Sequence, residues 1–181
     1  NDLLLVAEAL MEKRIASIAD EIVNNQNKKR FIFIAGPSSS GKTTFAHRLG
    51  IQLRAFGMNP KTISLDNYFK TVDPLTAPRT PDGDIDFESP ECLDMLLLNE
   101  HFEALAQGRE IRIPHFSFPH QARVEGKYTE MKLGENEIAI FEGIHALNDC
   151  ITHDHPGAYK IYVSTLTDII DNGKDLIDGQ G

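Results

Sequence analysis

The residues best suited to chemistry in this sequence lie in one run, Gly36-Pro37-Ser38-Ser39-Ser40-Gly41-Lys42-Thr43, which matches the pattern G-x-x-x-x-G-K-[ST] in full. The apolar segment FIFIA precedes the run, and an amphipathic segment follows it. Glycines allow the backbone to wrap closely around an anion, so that successive N–H groups point inward at the start of a helix. The run therefore predicts a loop that binds the phosphates of a nucleoside triphosphate.

Each residue of this loop has an expected part in phosphate binding. The Lys42 ammonium should reach the β- and γ-phosphates, and the Thr43 hydroxyl should ligate Mg²⁺. The motif is specific for triphosphate binding, but it does not set the reaction that follows. The predicted nucleotide-binding residues are Gly36, Ser38, Ser39, Ser40, Gly41, Lys42, Thr43 and Thr44.

Two carboxylates stand at the ends of predicted strands. Asp66 ends the segment ISLD, and Glu142 ends IAIFE. In a parallel sheet the carboxyl ends of the strands open at the same edge as the phosphate loop. We therefore expect Thr43, Asp66 and Glu142 to lie together as ligands of a metal ion.

The elements that must position these residues follow from the hydrophobic pattern. Strands that alternate with helices predict an α/β fold, here a parallel sheet of the P-loop NTPase type flanked by helices, with a small β-rich insertion. The expected elements are a helix at 2–25, a strand at 31–35, a helix at 42–56, a strand at 61–65, a long loop at 71–90, a helix from Pro90 to about Gln107, β-rich structure at 110–133, and strands at 137–141 and 159–164. The first helix has an apolar stripe that should pack against the core or a neighbouring domain: Leu3, Val6, Leu10, Ile15, Ile18 and Ile22.

Composition narrows the class of protein. The 181 residues are 41% hydrophobic and 25% charged, which suits one globular domain, and no apolar run is long enough to cross a bilayer. The net charge of -9 argues against broad nucleic-acid binding. Cys92 and Cys150 lack metal-type or redox-type spacing and, beside a phosphate loop, indicate a reducing, cytoplasmic setting.

Five segments together resemble the uridine kinase and phosphoribulokinase family of P-loop kinases. They are GPSSSGKTT, SLDNYF, DIDFESPECLD, IPHFSFPHQAR and IAIFEGIHAL, in this order between about Phe31 and Ser164. The resemblance implies transfer of the γ-phosphoryl group of ATP, with Mg²⁺, to a hydroxyl of a small acceptor, a nucleoside or a sugar phosphate. It also implies that the β-rich insertion binds this acceptor.

The resemblance assigns expected roles to single residues. Asp66 would be the base that faces the acceptor hydroxyl, Lys42 would act with it in catalysis, and Glu142 would help to organise the metal. Phe87, Phe116 and Arg123 would lie near the acceptor pocket. From their positions near Asp66, Glu142 and the insertion, further expected acceptor-binding residues are Tyr68, Phe69, His120 and His145, and a structural role is equally open for His145.

The acceptor segments depart from the uridine kinase pattern. Uridine kinases have D-S-F-Y where this chain has Asp66-Asn67-Tyr68-Phe69, so tyrosine and phenylalanine are exchanged. Phe116, Ser117 and Gln121 stand where those kinases have tyrosine, aspartate and histidine. Because polar contacts in a pocket dominate discrimination, the case for uridine is weakened, and another nucleoside, a sugar or a sugar phosphate is open as acceptor.

The C-terminal part departs further, because no arginine follows Arg123. The family places an arginine-bearing lid helix beyond the strand that matches 159–164. We therefore expect three parts: an N-terminal helix at 1–29 that ends a longer upstream region, a P-loop kinase domain at 30–165, and a truncated or incomplete lid at 166–181. A nucleotide-binding module without catalysis is the alternative. A homo-oligomer is compatible with the sequence, while nucleic acid and membrane are not expected as partners.

Overall fold

The computed structural model describes residues 2–25, 30–37, 41–163, 169–171 and 174–175. A six-stranded sheet forms its centre, in the order β2-β5-β1-β6-β7-β8, and β3 and β4 form a separate two-stranded sheet. The helices are α1 (Asp2–Asn24), α2 (Lys42–Ala55), α3 (Met95–Ala106) and α4 (Asp149–Thr152). The strands are β1 (Phe31–Ala35), β2 (Asn59–Ser64), β3 (Ile111–Ser117), β4 (Ala122–Met131), β5 (Glu137–Glu142), β6 (Tyr159–Val163), β7 (Ile169–Asp171) and β8 (Lys174–Asp175).

The large sheet is parallel across its neighbouring strands β2, β5, β1 and β6, as the sequence predicts. β5 lies between β2 and β1 and runs parallel to both, and β1 pairs in parallel with β6 on its other side. All five residues of β1 are buried, as are the four residues 138–141 of β5. Such continuous apolar strands are stable only between two covering layers, which fixes β1 and β5 at the centre.

Two layers cover the faces of this sheet. On one face, α1 and α2 pack their buried residues, including Ile18 and Leu49, against Ile32 and Ile140 of the sheet. On the other face, α3 and the β3–β4 hairpin enclose an aromatic core. Phe102 of α3 lies there with its ring centroid 4.9 Å from that of Phe141.

Only half of the predicted apolar stripe of α1 is buried. Ile15, Ile18 and Ile22 are at most 3% exposed, whereas Leu3, Val6 and Leu10 are 80%, 55% and 55% exposed. Periodicity shows which face of a helix can be buried, but not how far the covering surface extends. The N-terminal half of the stripe therefore does not pack on the core, and packing against a neighbouring domain stays a prediction for it.

Two predicted boundaries move because short 3₁₀ turns interrupt the regular elements. The strand expected at 61–65 lies at Asn59–Ser64, and Leu65–Tyr68 forms a 3₁₀ turn. The helix expected from Pro90 is split into a turn at Pro90–Cys92 and α3. Asp94 separates them, since its carboxylate accepts the Leu97 N–H at 3.1 Å and caps α3.

The β-rich segment at 110–133 is the β3–β4 hairpin, as predicted. After β6, the backbone continues in β7 and β8, which are antiparallel additions to the sheet. The predicted lid region at 166–181 lies otherwise outside the described residues. Within the described part of the chain, no helix is both long and apolar enough to span a membrane.

Candidate functional site

The phosphate loop has the expected strand–loop–helix setting. β1 ends at Ala35, one residue before Gly36, and α2 begins at Lys42. Gly41 caps α2 with φ 82°, in the left-handed region that side chains disfavour, which explains a glycine at this position. Thr43 and Thr44 lie exposed in the first turn of α2, while Lys42 is buried. The predicted phosphate ligands Ser38, Ser39 and Ser40 lie outside the described residues.

Asp66 and Glu142 lie at the same edge of the sheet as this loop. Glu142 is the last residue of β5, paired in register with Ser64 of β2 on one side and Ile34 of β1 on the other. Asp66 follows Ser64 by two residues. The structure therefore brings together Lys42, Asp66 and Glu142, which the sequence had placed at one edge.

The electrostatics show how closely these three groups interact. Burial raises the pKa of Asp66, and the charges of Lys42 and His145 oppose that rise. Burial also raises the pKa of Glu142; Lys42 opposes this rise, while Asp66 adds to it. One lysine thus acts on two carboxylates that repel each other, an arrangement that favours binding of a further cation.

Ser64 is a residue of this site that the sequence analysis missed. Its hydroxyl accepts the backbone N–H of Asp66 at 3.3 Å and makes a polar contact with the Glu142 carboxylate that favours the charged form. A serine two residues before an aspartate, at a strand end, is a turn-capping pattern that could have revealed it. Ser64 is therefore the link between the two acids.

Gly143 also shapes this edge. A Cβ atom at this position would lie 3.1 Å from the Cβ of Leu65 and 3.9 Å from Oδ1 of Asp66. A side chain here would press on the turn that presents Asp66. The glycine after Glu142 thus permits close approach of the two acid-bearing segments.

An aromatic cluster adjoins the acids. It is formed by Phe69, Phe87, Phe116 and Phe118, and His145 packs at its side. The ring centroid of Phe69 lies 5.4 Å from that of Phe87, 5.5 Å from that of Phe116 and 6.1 Å from that of His145. The structure thus brings four predicted acceptor residues together and adds Phe118, which the F-S-F alternation of residues 116–118 could have indicated.

Three other predicted acceptor residues are not among the rings of this cluster. Tyr68 is fully buried, and its hydroxyl lies 2.7 Å from Nδ1 of His101, because the 3₁₀ turn directs this side chain into the core. His120 is exposed in the turn of the β3–β4 hairpin. Arg123 donates from Nε to the Phe69 carbonyl at 3.1 Å and forms a 3.0 Å ion pair with Asp94. Tyr68 and Arg123 therefore support the walls of the site.

A cavity of about 760 Å³ lies beside this region, between residues 70–78 and 90–96. Cys92, Met95 and Cys150 are in its wall, together with the exposed Leu96. Of the predicted phosphate-binding residues that the structure describes, namely Gly36, Gly41, Lys42, Thr43 and Thr44, none lines it. Because the acids and the phosphate loop lie elsewhere, we assign no part of the chemistry to this cavity.

Comparison with known proteins places the chain in a family. The profile of the "Phosphoribulokinase / Uridine kinase family" matches residues 31–173, which include β1 to β7, the phosphate loop and both acids. The chain belongs to this family. The assignment agrees with the resemblance of the five sequence segments and with the P-loop kinase architecture of the sheet.

Curated relatives within the phosphoribulokinase/uridine kinase family include uridine kinases. The chain is 40% identical over 123 residues to the uridine kinase of Schizosaccharomyces pombe, an alignment that covers 67% of this chain and 26% of that protein. It is 30% identical over 138 residues to the uridine kinase of Halobacterium salinarum, covering 76% and 57%. The chain thus matches well under two thirds of the length of either relative.

A solved structure supports the fold. The structure of "a Possible Uridine Kinase" from Bacillus stearothermophilus superposes with a TM-score of 0.62 at 20% identity, covering 83% of this chain and 79% of that one. At this identity the likeness concerns the fold alone.

The donor set at the sheet edge fits the magnesium ion that this family implies. Proteins commonly hold Mg²⁺ through one or two carboxylates, while phosphates and waters complete the shell. Asp66 and Glu142 supply two carboxylates, close enough that the charge of Asp66 raises the pKa of Glu142, and the Thr43 hydroxyl is exposed at the start of α2. These are the residues that would hold the ion.

Proposed function

We propose that this chain transfers the γ-phosphoryl group of ATP to a hydroxyl of a small acceptor, with a nucleoside as the first candidate. The observation on which the proposal depends is the meeting of Lys42, Asp66 and Glu142 beside an aromatic cluster. A protein that only bound nucleotide would have no need of a second carboxylate next to a wall of rings.

The residues act by positioning and by charge. The backbone at the start of α2 and Lys42 bind the triphosphate, and Asp66 orients the acceptor hydroxyl and accepts its proton. Burial raises the pKa of Asp66, and the positive charge of Lys42 opposes this rise and so favours the carboxylate form that a base requires. When bound, Mg²⁺ would neutralise charge on the β- and γ-phosphates.

The aromatic cluster supports a nucleoside as the acceptor. Flat apolar rings offer a stacking surface to a nucleobase, and Phe118 is 45% exposed at the open side of the cluster. A sugar phosphate would need a free cation, whereas Arg123 beside the cluster is committed to Asp94 and to the Phe69 carbonyl. A sugar-phosphate acceptor is therefore the second candidate.

The net charge and the cysteines bear on the partners and the location of the protein. The net charge of -9 favours a small-molecule acceptor over a nucleic acid. Cys92 and Cys150 are free thiols, and on this ground we propose a reducing, cytoplasmic location.

The direct test is an assay of ATP-dependent phosphorylation against a panel of nucleosides, sugars and sugar phosphates. We expect Asp66→Asn to lower turnover by about 10²-fold or more, the usual scale for loss of a general base, while the ATP dissociation constant changes little. Asp20→Asn, an exposed change on α1, is the matched control. Near-normal turnover in Asp66→Asn would sink the assigned role of this residue.

If the wild-type protein binds ATP but phosphorylates no member of the panel, the proposal of catalysis fails and the non-catalytic nucleotide-binding module is the better description. Lys42→Ala should weaken both ATP binding and turnover. Unchanged ATP affinity in a calorimetric titration of this variant would contradict the assignment of the phosphate loop.

A further inference from the structure

His145 forms a bond across the site that the reaction does not itself require. It follows Glu142 by three residues and is 5% exposed. Its Nε2 lies 2.8 Å from the carbonyl oxygen of Phe87, which is distant in sequence. A carbonyl oxygen can only accept, so the hydrogen of this bond must be on Nε2. The side chain thus joins the segment after β5 to the long loop at 70–89.

The position of Phe87 matters because its ring forms part of the aromatic cluster. Its centroid lies 5.4 Å from that of Phe69, 6.1 Å from that of Phe116 and 5.5 Å from that of Phe118. Phe69 in turn follows Asp66 by three residues. A displacement of Phe87 therefore changes the aromatic cluster next to Asp66, the proposed base.

Several hydrogen bonds of the 70–89 loop are internal to it. The Asp86 N–H donates to the Pro78 carbonyl at 2.9 Å, the Thr80 N–H donates to Asp84 at 2.8 Å, and Arg79 donates to the Gly83 carbonyl at 2.7 Å. Such bonds shape the loop but do not fix it to the sheet. At its start the loop is tied to the β3–β4 hairpin, since the Val72 N–H donates to the Gln121 carbonyl at 2.9 Å. The bond from His145 ties its far end, at Phe87, to the strand end that carries Glu142.

We propose that His145 is a positioning residue, whose N–H bond to the Phe87 carbonyl holds the aromatic wall of the acceptor site against the acid-bearing edge of the sheet. Its effect on catalysis rests on the proposed function, but its effect on the loop does not. Loss of the bond should raise the acceptor KM, while the nucleotide affinity is unchanged because the group that His145 holds, Phe87, belongs to the aromatic cluster and not to the phosphate loop.

Four variants separate the hydrogen bond from simple packing. His145→Leu keeps much of the volume and removes the donor. His145→Asn is polar but too short to reach the carbonyl, so it provides a second loss variant should the leucine fail to fold. His145→Gln retains an N–H group near the position of Nε2 and should rescue. His153→Leu removes a histidine whose side chain is 84% exposed and serves as the control.

The first measurement is amide hydrogen exchange of the protein without acceptor. The amides of Asp86, Glu88 and Ser89 are all hydrogen-bonded in the loop, so their exchange reports its opening. We expect about tenfold faster exchange in His145→Leu and His145→Asn, the scale set by one lost hydrogen bond, and wild-type exchange in His145→Gln and His153→Leu. Residues 138–141 of β5 should be unaffected in all four.

The second measurement is kinetic and uses whichever nucleoside or sugar of the panel the wild-type protein phosphorylates. The leucine and asparagine variants should raise the acceptor KM about tenfold, with the ATP dissociation constant within about twofold of wild type.

The outcomes test the role of His145 separately from the proposed function. Wild-type loop exchange in both loss variants overturns the proposal, as does fast exchange in His145→Gln, which would show that packing rather than the bond matters. Weakened ATP binding in the loss variants also overturns it. If no acceptor is phosphorylated, the proposed function fails, while the exchange data still confirm or refute the role of His145 in the loop.

Discussion

At the scale of single residues, the acids of the site depend on a neighbouring hydroxyl. Ser64 accepts the backbone N–H of Asp66 and contacts the Glu142 carboxylate, so one side chain connects the turn that carries Asp66 to Glu142. A hydroxyl can do this because it accepts one hydrogen bond and donates another. Catalysis by positioning is sensitive to small displacements, so this link should matter more for turnover than for folding.

We expect Ser64→Ala to lower turnover about tenfold or more, because the Asp66 turn and the Glu142 carboxylate lose their common partner. The cost in free energy of unfolding should be about 1 kcal/mol, typical of one lost hydrogen bond. Ser64→Thr keeps the hydroxyl and suits a strand, so it should retain most of the turnover.

The measurements for Ser64 are steady-state kinetics, urea unfolding, and calorimetric ATP titration with Mg²⁺ and with a chelator. The alanine variant should lose much of the Mg²⁺-dependent gain in ATP affinity, and its affinity in chelator should match wild type. Equal turnover of the alanine and threonine variants would contradict the role of the hydroxyl.

The residue scale also shows what sequence patterns can predict. Lys42, Asp66 and Glu142 were placed together correctly, because strand ends in a parallel sheet meet at one edge. Tyr68 was placed wrongly, because a 3₁₀ turn after β2 directs it to His101 in the core. The ion pair of Arg123 with Asp94 joins residues 29 positions apart, and no local pattern indicates such a pair.

At the scale of elements, α1 consists of two unlike halves. Its C-terminal half packs on the sheet and is held by the Tyr159 hydroxyl, which donates to Glu21 at 2.7 Å. Its N-terminal half exposes Leu3, Leu4 and Val6. The sequence predicted the helix because its apolar residues recur at helical spacing, but spacing cannot reveal where the covering surface stops.

The two halves of α1 should respond differently to truncation of apolar side chains. Ile18 is 2% exposed, so Ile18→Ala should lower the free energy of unfolding by about 2–5 kcal/mol, the range for deleting a buried aliphatic side chain. Leu4 is 60% exposed, and Leu4→Ala should change it by about 0.5 kcal/mol or less. Urea unfolding measures both. A large loss in Leu4→Ala would show that this half of the helix is covered in solution.

At the scale of the whole molecule, the parallel sheet brings residues that are far apart in the sequence together at one edge. Glu142 lies about a hundred residues from the phosphate loop, and the parallel order of β2, β5 and β1 brings the three strand ends together. The sequence predicted this order of elements because buried strands alternate with helices. It could not predict how the 70–89 loop is held, because that depends on bonds between residues distant in sequence, such as those from His145 to the Phe87 carbonyl and from the Val72 N–H to the Gln121 carbonyl.

Two histidines, one in α3 and one packed against it, make the free energy of unfolding of the protein depend on pH. His101 lies on α3 beside Tyr68, and the ring centroid of His155 lies 4.6 Å from that of Phe102. Burial lowers the pKa of both imidazoles from the ordinary value of 6.5. Below about pH 6.5, the unfolded chain therefore binds more protons than the folded protein at these sites.

The two histidines therefore stabilise the folded protein more at neutral pH than at acid pH. The stabilisation is complete above about pH 6.5 and is lost as the pH falls through the window between that value and the lowered pKa values, by at most about 1.4 kcal/mol per pH unit for each proton. Asp66 and Glu142 act in the opposite sense, since their raised pKa values let the folded protein bind more protons than the unfolded chain at acid pH. A comparison of variants is therefore needed to isolate the histidine effect.

We expect His155→Phe to keep the aromatic packing against Phe102 and to reduce the loss of unfolding free energy between pH 7.5 and pH 5.5, because this residue no longer gains a proton on unfolding. His153→Gln, two residues away and exposed, should lose as much as wild type. Urea unfolding at both pH values measures the difference, and the acids are common to all three proteins. The same loss in His155→Phe as in wild type would show that His155 does not contribute to the acid sensitivity of the fold.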